Sequence, residues 1–305
     1  MRVLFMGTPE FAVASLCTLY EAGYDICGVY TQPDKPKNRR MKLTFSPVKT
    51  YALSKGLKVY QPKNLKSGDT IEEIKSLKPD IIVVVAYGKL LPETILGLPP
   101  LGAINVHGSL LPKYRGAAPI QRAIINGERV TGVVTMFMAP EMDAGDVIDR
   151  AETDIGENET YGELYLRLKD MGAKLLLKTL RAIGNGEAAG IAQDESLATF
   201  APPIKKEDAI INWEKPADEI INLIRGLQPK PGAVTQFAGT GYKIHRGEKT
   251  KNRTSLIPGT IVSSGNSGLE VACAGGETLL ITELQAPGGK RMSAADYLRG
   301  HRIEN

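Results

Sequence analysis

Apolar residues recur along the first half of the chain in short unbroken runs. Each run is followed by a longer stretch in which they return every three or four positions. Val3 to Met6 reads as a buried strand. Thr8-Pro9-Glu10 behind it has the form of a helix start: an N-cap hydroxyl, a proline at the first helical position and an acid in the first turn. Gly23 closes that helix. Ile26 to Tyr30 is a second strand, and Ser46-Pro47 opens another helix that Gly56 ends. Ile81 to Val85 is apolar on both faces, as a central parallel strand is. Ala103 to Val106 and Val130 to Met138 continue the series. Strand and helix in alternation predict an α/β fold, a Rossmann-like doubly wound sheet that is mostly parallel. A long amphipathic helix runs from Tyr161 to about Ile183 and ends at Gly184-Asn185-Gly186.

Beyond that helix the texture changes. Residues 187–205 are polar or small, with Pro202-Pro203 near the end, and read as a linker. One helical segment follows, Ala217 to Leu227. Then short strand-like runs recur between glycines: Ala233 to Phe237, Tyr242 to His245, Gly259 to Val262, Leu269 to Ala272 and Leu279 to Leu284. Their even spacing predicts a small C-terminal β-barrel, OB-like in kind. The expected organisation is an α/β domain over 1–186, a linker over 187–205 and the barrel over 206–305.

The 305 residues, 42% hydrophobic and 24% charged, suffice for two cores. A net charge of +4 is mildly basic and names no partner by itself. Cys17, Cys27 and Cys273 lack paired spacing, which fits a reducing cytoplasm better than a disulfide framework. The opening apolar run is too short for a signal peptide, and no stretch approaches the length of a membrane span.

The first turn, Gly7-Thr8-Pro9-Glu10-Phe11, lacks the G-x-G-x-x-G of a dinucleotide site, and its proline and acid disfavour a pyrophosphate. The richest segment is Gly102 to Arg122. A strand there delivers Asn105 and His107 to one side near its C-terminal end, the edge at which open α/β sheets bind ligands. Asp143 follows the Val130 to Met138 strand and is expected at the same edge. An amide donor, an imidazole and a carboxylate suit acyl transfer, in which donors aimed at a developing oxyanion are worth roughly 3–4 kcal/mol each and a base takes the amine's proton. Spacing alone leaves a structural role open for each of the three. No metal-ligand spacing is present.

The run Asn105-Val106-His107-Gly108-Ser109-Leu110-Leu111-Pro112, followed by Tyr114-Arg115-Gly116-Ala117-Ala118-Pro119-Ile120, resembles the signature of the 10-formyltetrahydrofolate-dependent formyltransferases. The resemblance implies that Asn105, His107 and Asp143 are the catalytic set. It also implies that Ser109, Leu110, Leu111 and Pro112 contact the folate, with Tyr87 and Gly88 of the Val84 to Gly88 segment in a wall of its pocket. The co-substrate implied is 10-formyltetrahydrofolate, with no metal.

The acceptor is read from three further features. Gly7 to Ala12 opens the chain as in the branch that acts on tRNA, where the phenylalanine, here Phe11, borders the methionyl pocket. The loop after Asp34 holds five cations in eight positions, Lys35, Lys37, Arg39, Arg40 and Lys42, with no acid from Lys35 to Lys49. Such a loop can neutralise acceptor-stem phosphates, although composition alone also allows a solvated loop. The tRNA branch carries a basic insertion at this place. In the last hundred residues Lys243, Arg246, Lys249, Lys251 and Arg253 cluster, with Lys290-Arg291 as a second patch. The resemblance covers nearly the whole chain and implies a cytoplasmic, monomeric enzyme that formylates methionyl initiator tRNA without membrane contact. A formyltransferase acting on a small amine or an amino-sugar nucleotide would need neither barrel nor basic loop. A non-catalytic RNA-binding protein would not need Asn105, His107 and Asp143 together.

Overall fold

The computed structural model describes residues 1–37 and 42–304. They form two compact units, one of Met1–Gly116, Thr131–Thr153 and Tyr165–Ala201, the other of Ala117–Val130, Asp154–Leu164 and Pro202–Asn305.

The chain begins β1 (Arg2–Gly7), α1 (Glu10–Glu21), β2 (Asp25–Tyr30), then a hairpin of β3 (Lys35–Lys37) and β4 (Lys42–Thr44). It continues α2 (Pro47–Ser54), β5 (Val59–Tyr60), α3 (Gly68–Leu77), β6 (Ile81–Val85), α4 (Glu93–Leu96) and β7 (Ala103–His107). After α5 (Pro119–Ile125) come β8 (Val130–Phe137), β9 (Val147–Asp154) and α6 (Tyr161–Gly184). Seven strands make one sheet in the order β5-β2-β1-β6-β7-β8-β9. The pairs from β5 to β7 are parallel, as predicted. β8 departs from the expected series: it runs antiparallel to β7. Leu4, Met6, Ile82 and Val84 pack with Ile74 of α3 and Ile95 of α4 on one face. The other face carries α6, where Thr179 and Thr135 share a hydrogen bond at 2.7 Å. There Gly172 lets the helix come close, since a Cβ would lie 2.9 Å from Val106 Cγ1.

Local signals were met unevenly. Ser46 caps α2 by accepting from the Lys49 amide at 3.0 Å, with Pro47 in the first turn. Thr8 does not cap α1. Its hydroxyl donates instead to the Tyr87 carbonyl at 2.9 Å, an acceptor just past β6 that needs a partner.

The second unit holds α7 (Ala217–Gly226), β10 (Ala233–Phe237), β11 (Thr240–Arg253), β12 (Ile261–Gly265), β13 (Gly268–Ala272), β14 (Glu277–Gln285), β15 (Met292–Ser293) and α8 (Ala294–Leu298). The strands pair antiparallel in the order β10-β11-β14-β13-β12, with β15 against β14. No ladder among the described residues joins β12 to β10, so the predicted strands form an antiparallel sheet without the closing pair of a barrel. β11 is longer than the Tyr242 to His245 run because it continues, with irregular register, through polar residues up to Arg253. Ile220 and Ile224 of α7 join Leu269, Val271, Leu279 and Ile281 in the core. Glu270 is buried in this sheet. Burial pushes its carboxyl up, but donors on Thr278, Asn252, Thr250 and Ser263 hold it below the ordinary glutamate range.

Candidate active site

Asn105 lies opposite Met136, and His107 opposite Val134, across the β7–β8 ladder. Alternation along β7 sends Asn105 and His107 to one face, together with their cross-strand neighbours. Asp143 reaches that face by a route the sequence did not suggest. Because β8 is antiparallel, its end, Phe137, sits beside Ile104 at the start of β7 rather than at the C-terminal edge. The turn into β9 then doubles back. Asp143 takes a left-handed conformation (φ 53°), which aspartate tolerates better than most residues.

The three predicted side chains meet there. Asn105 Nδ2 donates to Asp143 Oδ1 at 3.4 Å. His107 Nδ1 lies 3.6 Å from Asp143 Oδ2, and the Gly116 amide donates to that same oxygen at 2.8 Å. His107 Nε2 faces the Tyr114 carbonyl at 3.0 Å. A carbonyl only accepts, so Nε2 carries the hydrogen and Nδ1 is the nitrogen turned to the carboxylate. His107 is 6% exposed and the Asp143 side chain 14%, so the pair is largely withdrawn from water.

The loop that follows β7 covers the same face. Ser109 is buried and donates its hydroxyl to the Lys113 carbonyl at 2.7 Å. Leu111 packs with Val134, Met136 and Val147, with Leu110 against the cluster. Pro112 accepts from the Thr199 amide at 3.2 Å. Val84 pairs with Asn105 in register, which brings the turn after β6 beside the trio. Gly88 is exposed in that turn with φ 86°. The Tyr87 ring, by contrast, points into the core: it is 1% exposed, its hydroxyl has no hydrogen-bond partner, and burial pushes its phenol up to about 12.

Sequence reasoning missed the residues that hold this arrangement. Arg115 is 4% exposed, and its guanidinium donates to Glu195 at 2.7 and 2.9 Å and to Gln193 Oε1 at 2.9 and 3.1 Å. Gln193 Nε2 donates in turn to the carbonyls of Asp143 (2.8 Å) and Gly145 (2.7 Å). The Tyr114 amide donates to Thr199 Oγ1 at 2.9 Å. Three of these residues, Gln193, Glu195 and Thr199, lie in what composition marks as linker. The only available signal was the arginine itself, an obligate cation beside an apolar segment, which requires an acid from elsewhere.

Phe11 is buried edge-on to Tyr165 at 5.4 Å and lies near Gly172, with Val106 and not with the trio. The basic loop forms the β3–β4 hairpin, in which Lys35 pairs with Thr44 and Lys37 with Lys42 along the backbone. Arg39 and Arg40 fall outside the described residues. At its base Asp34 binds Lys49 at 2.5 Å and Gln61 at 2.9 Å, and the Lys49 bond lowers the Asp34 carboxyl. In the C-terminal unit several clustered cations face acids: Lys249 meets Asp218 at 2.7 Å and Glu277 at 2.8 Å, Arg246 lies 3.5 Å from Glu248, and Arg291 binds Glu283. Among the described residues no group of three or more histidine, cysteine or carboxylate side chains could hold a metal, and no helix is long and apolar enough to cross a membrane.

Comparison with known proteins gives the same picture from outside. The formyl transferase profile matches residues 1–180, and that of the formyl transferase C-terminal domain residues 203–302. The methionyl-tRNA formyltransferase of Moorella thermoacetica is 48% identical over 99% of this chain and 96% of its own. That of Bacillus subtilis is 44% identical, with 99% and 96% covered. Among solved structures, the N-formyltransferase from Helicobacter canadensis, in complex with folinic acid and dTDP-3-aminofucose, superposes with a TM-score of 0.69 at 22% identity, covering 92% of this chain and 98% of that one. HypX from Aquifex aeolicus in complex with tetrahydrofolic acid gives 0.66 at 17% identity, and this chain, covered to 98%, spans 47% of it. Both share the fold. A Rossmann-like sheet that brings an asparagine, a histidine and an aspartate to one face, matched in sequence along nearly its whole length, places the chain in the formyltransferase family, among its methionyl-tRNA formyltransferases.

Proposed function

We propose that the protein transfers the formyl group of 10-formyltetrahydrofolate to the α-amino group of methionyl initiator tRNA. The observation that carries this is the Asp143 carboxylate set between Asn105 and His107 on one strand face, in a chain matched from end to end by methionyl-tRNA formyltransferases. The amine nitrogen bonds to the formyl carbon as the folate nitrogen leaves. The amine gives up a proton and the folate nitrogen takes one. Asp143 and His107 lie close enough to share that transfer, directly or through one water. The long Asn105 bond to Asp143 is weak enough to yield its donor to the formyl oxygen as negative charge develops there.

The folate fits the residues that surround the trio. Leu110 and Pro112 are half-buried beside the Leu111, Val134 and Met136 cluster and offer an apolar side to a flat ring. Ala86 and Gly88 expose backbone next to Asn105 for the polar edge of that ring. Tyr87 contributes through its backbone. The hairpin cations Lys35, Lys37 and Lys42, with Arg39 and Arg40, are assigned to tRNA phosphates. Phe11 is assigned to the methionyl side on the family resemblance. The C-terminal sheet is read as a barrel-like tRNA platform, with 187–205 as the connection to it.

The test is direct. The protein is incubated with 10-formyltetrahydrofolate and initiator tRNA charged with labelled methionine, and the label released by base is resolved into formylmethionine and methionine and counted. Formylation of an amino-sugar nucleotide in place of the charged tRNA would overturn the acceptor assignment.

A further inference from the structure

Residues 181–202 fall between the two profile matches and have the composition of a connection. Yet this stretch sends a side chain into direct polar contact with the Asp143 turn. The guanidinium of Arg115 has only donors, so the Gln193 atom it meets at 2.9 and 3.1 Å is the amide oxygen. The amide nitrogen is thereby directed to the carbonyls of Asp143 and Gly145. Glu195 grips Arg115 from the other side with two bonds, so the guanidinium has no freedom to swing. Asp143 sits in a left-handed conformation, less favourable than the helical or extended regions even for aspartate, so contacts to the turn help to hold it.

We propose that Gln193 is a positioning residue for the reaction: it locks the Asp143 turn through the carbonyls of Asp143 and Gly145, and so the 193–201 return belongs to the catalytic apparatus. This rests on the assignment of Asp143 made above. Loss of the lock lets the carboxylate drift from His107 and Asn105, while the folate wall, built from the loop after β7 and the 86–88 turn, stays in place.

The experiment is a double-mutant cycle of Gln193→Glu and Asp143→Asn in the full chain. Single-turnover formylation of methionyl-tRNA is read alongside equilibrium binding of tetrahydrofolate. Gln193→Glu keeps an oxygen for Arg115 but turns a second oxygen on the two carbonyls. Its rate is expected to fall by up to about 100-fold, the scale of a misplacement near 1 Å, with tetrahydrofolate affinity within about twofold. In the Asp143→Asn background the same change is expected to cost less than about twofold. If the two losses multiply, or if Gln193→Glu leaves the rate unchanged, Gln193 does not act through Asp143 and the inference falls. If Asp143→Asn alone is as fast as the parent, it is the active-site assignment that fails instead. Should Gln193→Glu not fold, Gln193→Met, which lacks both bonds and adds no charge, enters the same cycle with the same expectations.

Discussion

Gly116 joins the Asp143 carboxylate to the returning chain, and Gly116→Ala tests that joint. Its φ is 120°, a conformation that alanine does not adopt without strain, and a Cβ built there lies 2.8 Å from the Ala201 carbonyl oxygen. Ala201 cannot retreat: it is fully buried, and its amide is bonded to the Arg115 carbonyl at 2.7 Å. The backbone strain alone costs about 1–3 kcal/mol, which corresponds to a fall in Tm of roughly 2–12 °C. The loop relieves the clash by moving the residue 116 amide away from Asp143 Oδ2, now 2.8 Å distant. A hydrogen bond to a charged group is worth about 1.5–3 kcal/mol. Felt fully in the transition state, its loss lowers kcat by about 10- to 160-fold. The assay is kcat for methionyl-tRNA formylation at saturating substrates, with calorimetry on the same sample. A folded Gly116→Ala variant with an unaltered melt and kcat would refute both the steric estimate and the role given to the amide.

Asn105→Ala should cut kcat by on the order of 10²–10³ while leaving folate binding largely intact, measured by steady-state kinetics and tetrahydrofolate titration. Tyr87→Phe removes a buried hydroxyl that has no partner, so stability in urea should hold or rise by about 1 kcal/mol and folate affinity should not change. Arg39→Ala with Arg40→Ala should raise KM for tRNA and flatten its salt dependence by about 0.9 in slope for each phosphate no longer neutralised, with KM for folate constant. The Glu270 carboxyl is held low in the folded state. Its contribution is therefore complete above about pH 4.3, the unfolded value, and is lost as pH falls through the lower folded value. Glu270→Gln should flatten that acid limb of the stability curve for the C-terminal unit, followed by denaturation at stepped pH.

Periodicity made β1, β2, β6 and β7 legible, and alternation the shared face of Asn105 and His107, because it fixes the side of a sheet regardless of tertiary detail. Ser46-Pro47 was readable for a similar reason: its cap is satisfied within three residues. Thr8 carried the same local signal and was taken by a carbonyl 79 residues away. The direction of β8 was invisible, since an apolar run reads alike both ways, and with it went the path of Asp143. The polar stretch after α6 has no period at all. Its worth lies in single contacts to Arg115 and Asp143 that span 80 and 50 residues, and composition cannot register these. The β11 strand was cut short in the sequence because its outer half alternates polar residues with other polar residues.

The buried Arg115 has a consequence for how the protein is made. Its counter-charge, Glu195, comes 80 residues later in the chain. At about 5–20 residues per second of synthesis, roughly 4–16 s separate the two. Through that interval β7 and its asparagine and histidine already exist, but the loop after them lacks the acid that neutralises Arg115, a loss on the scale of about 3–5 kcal/mol. The loop is therefore held less firmly on the nascent chain until the acid emerges. A product that stops short of Glu195 is made with its sheet and without the acid that holds Arg115.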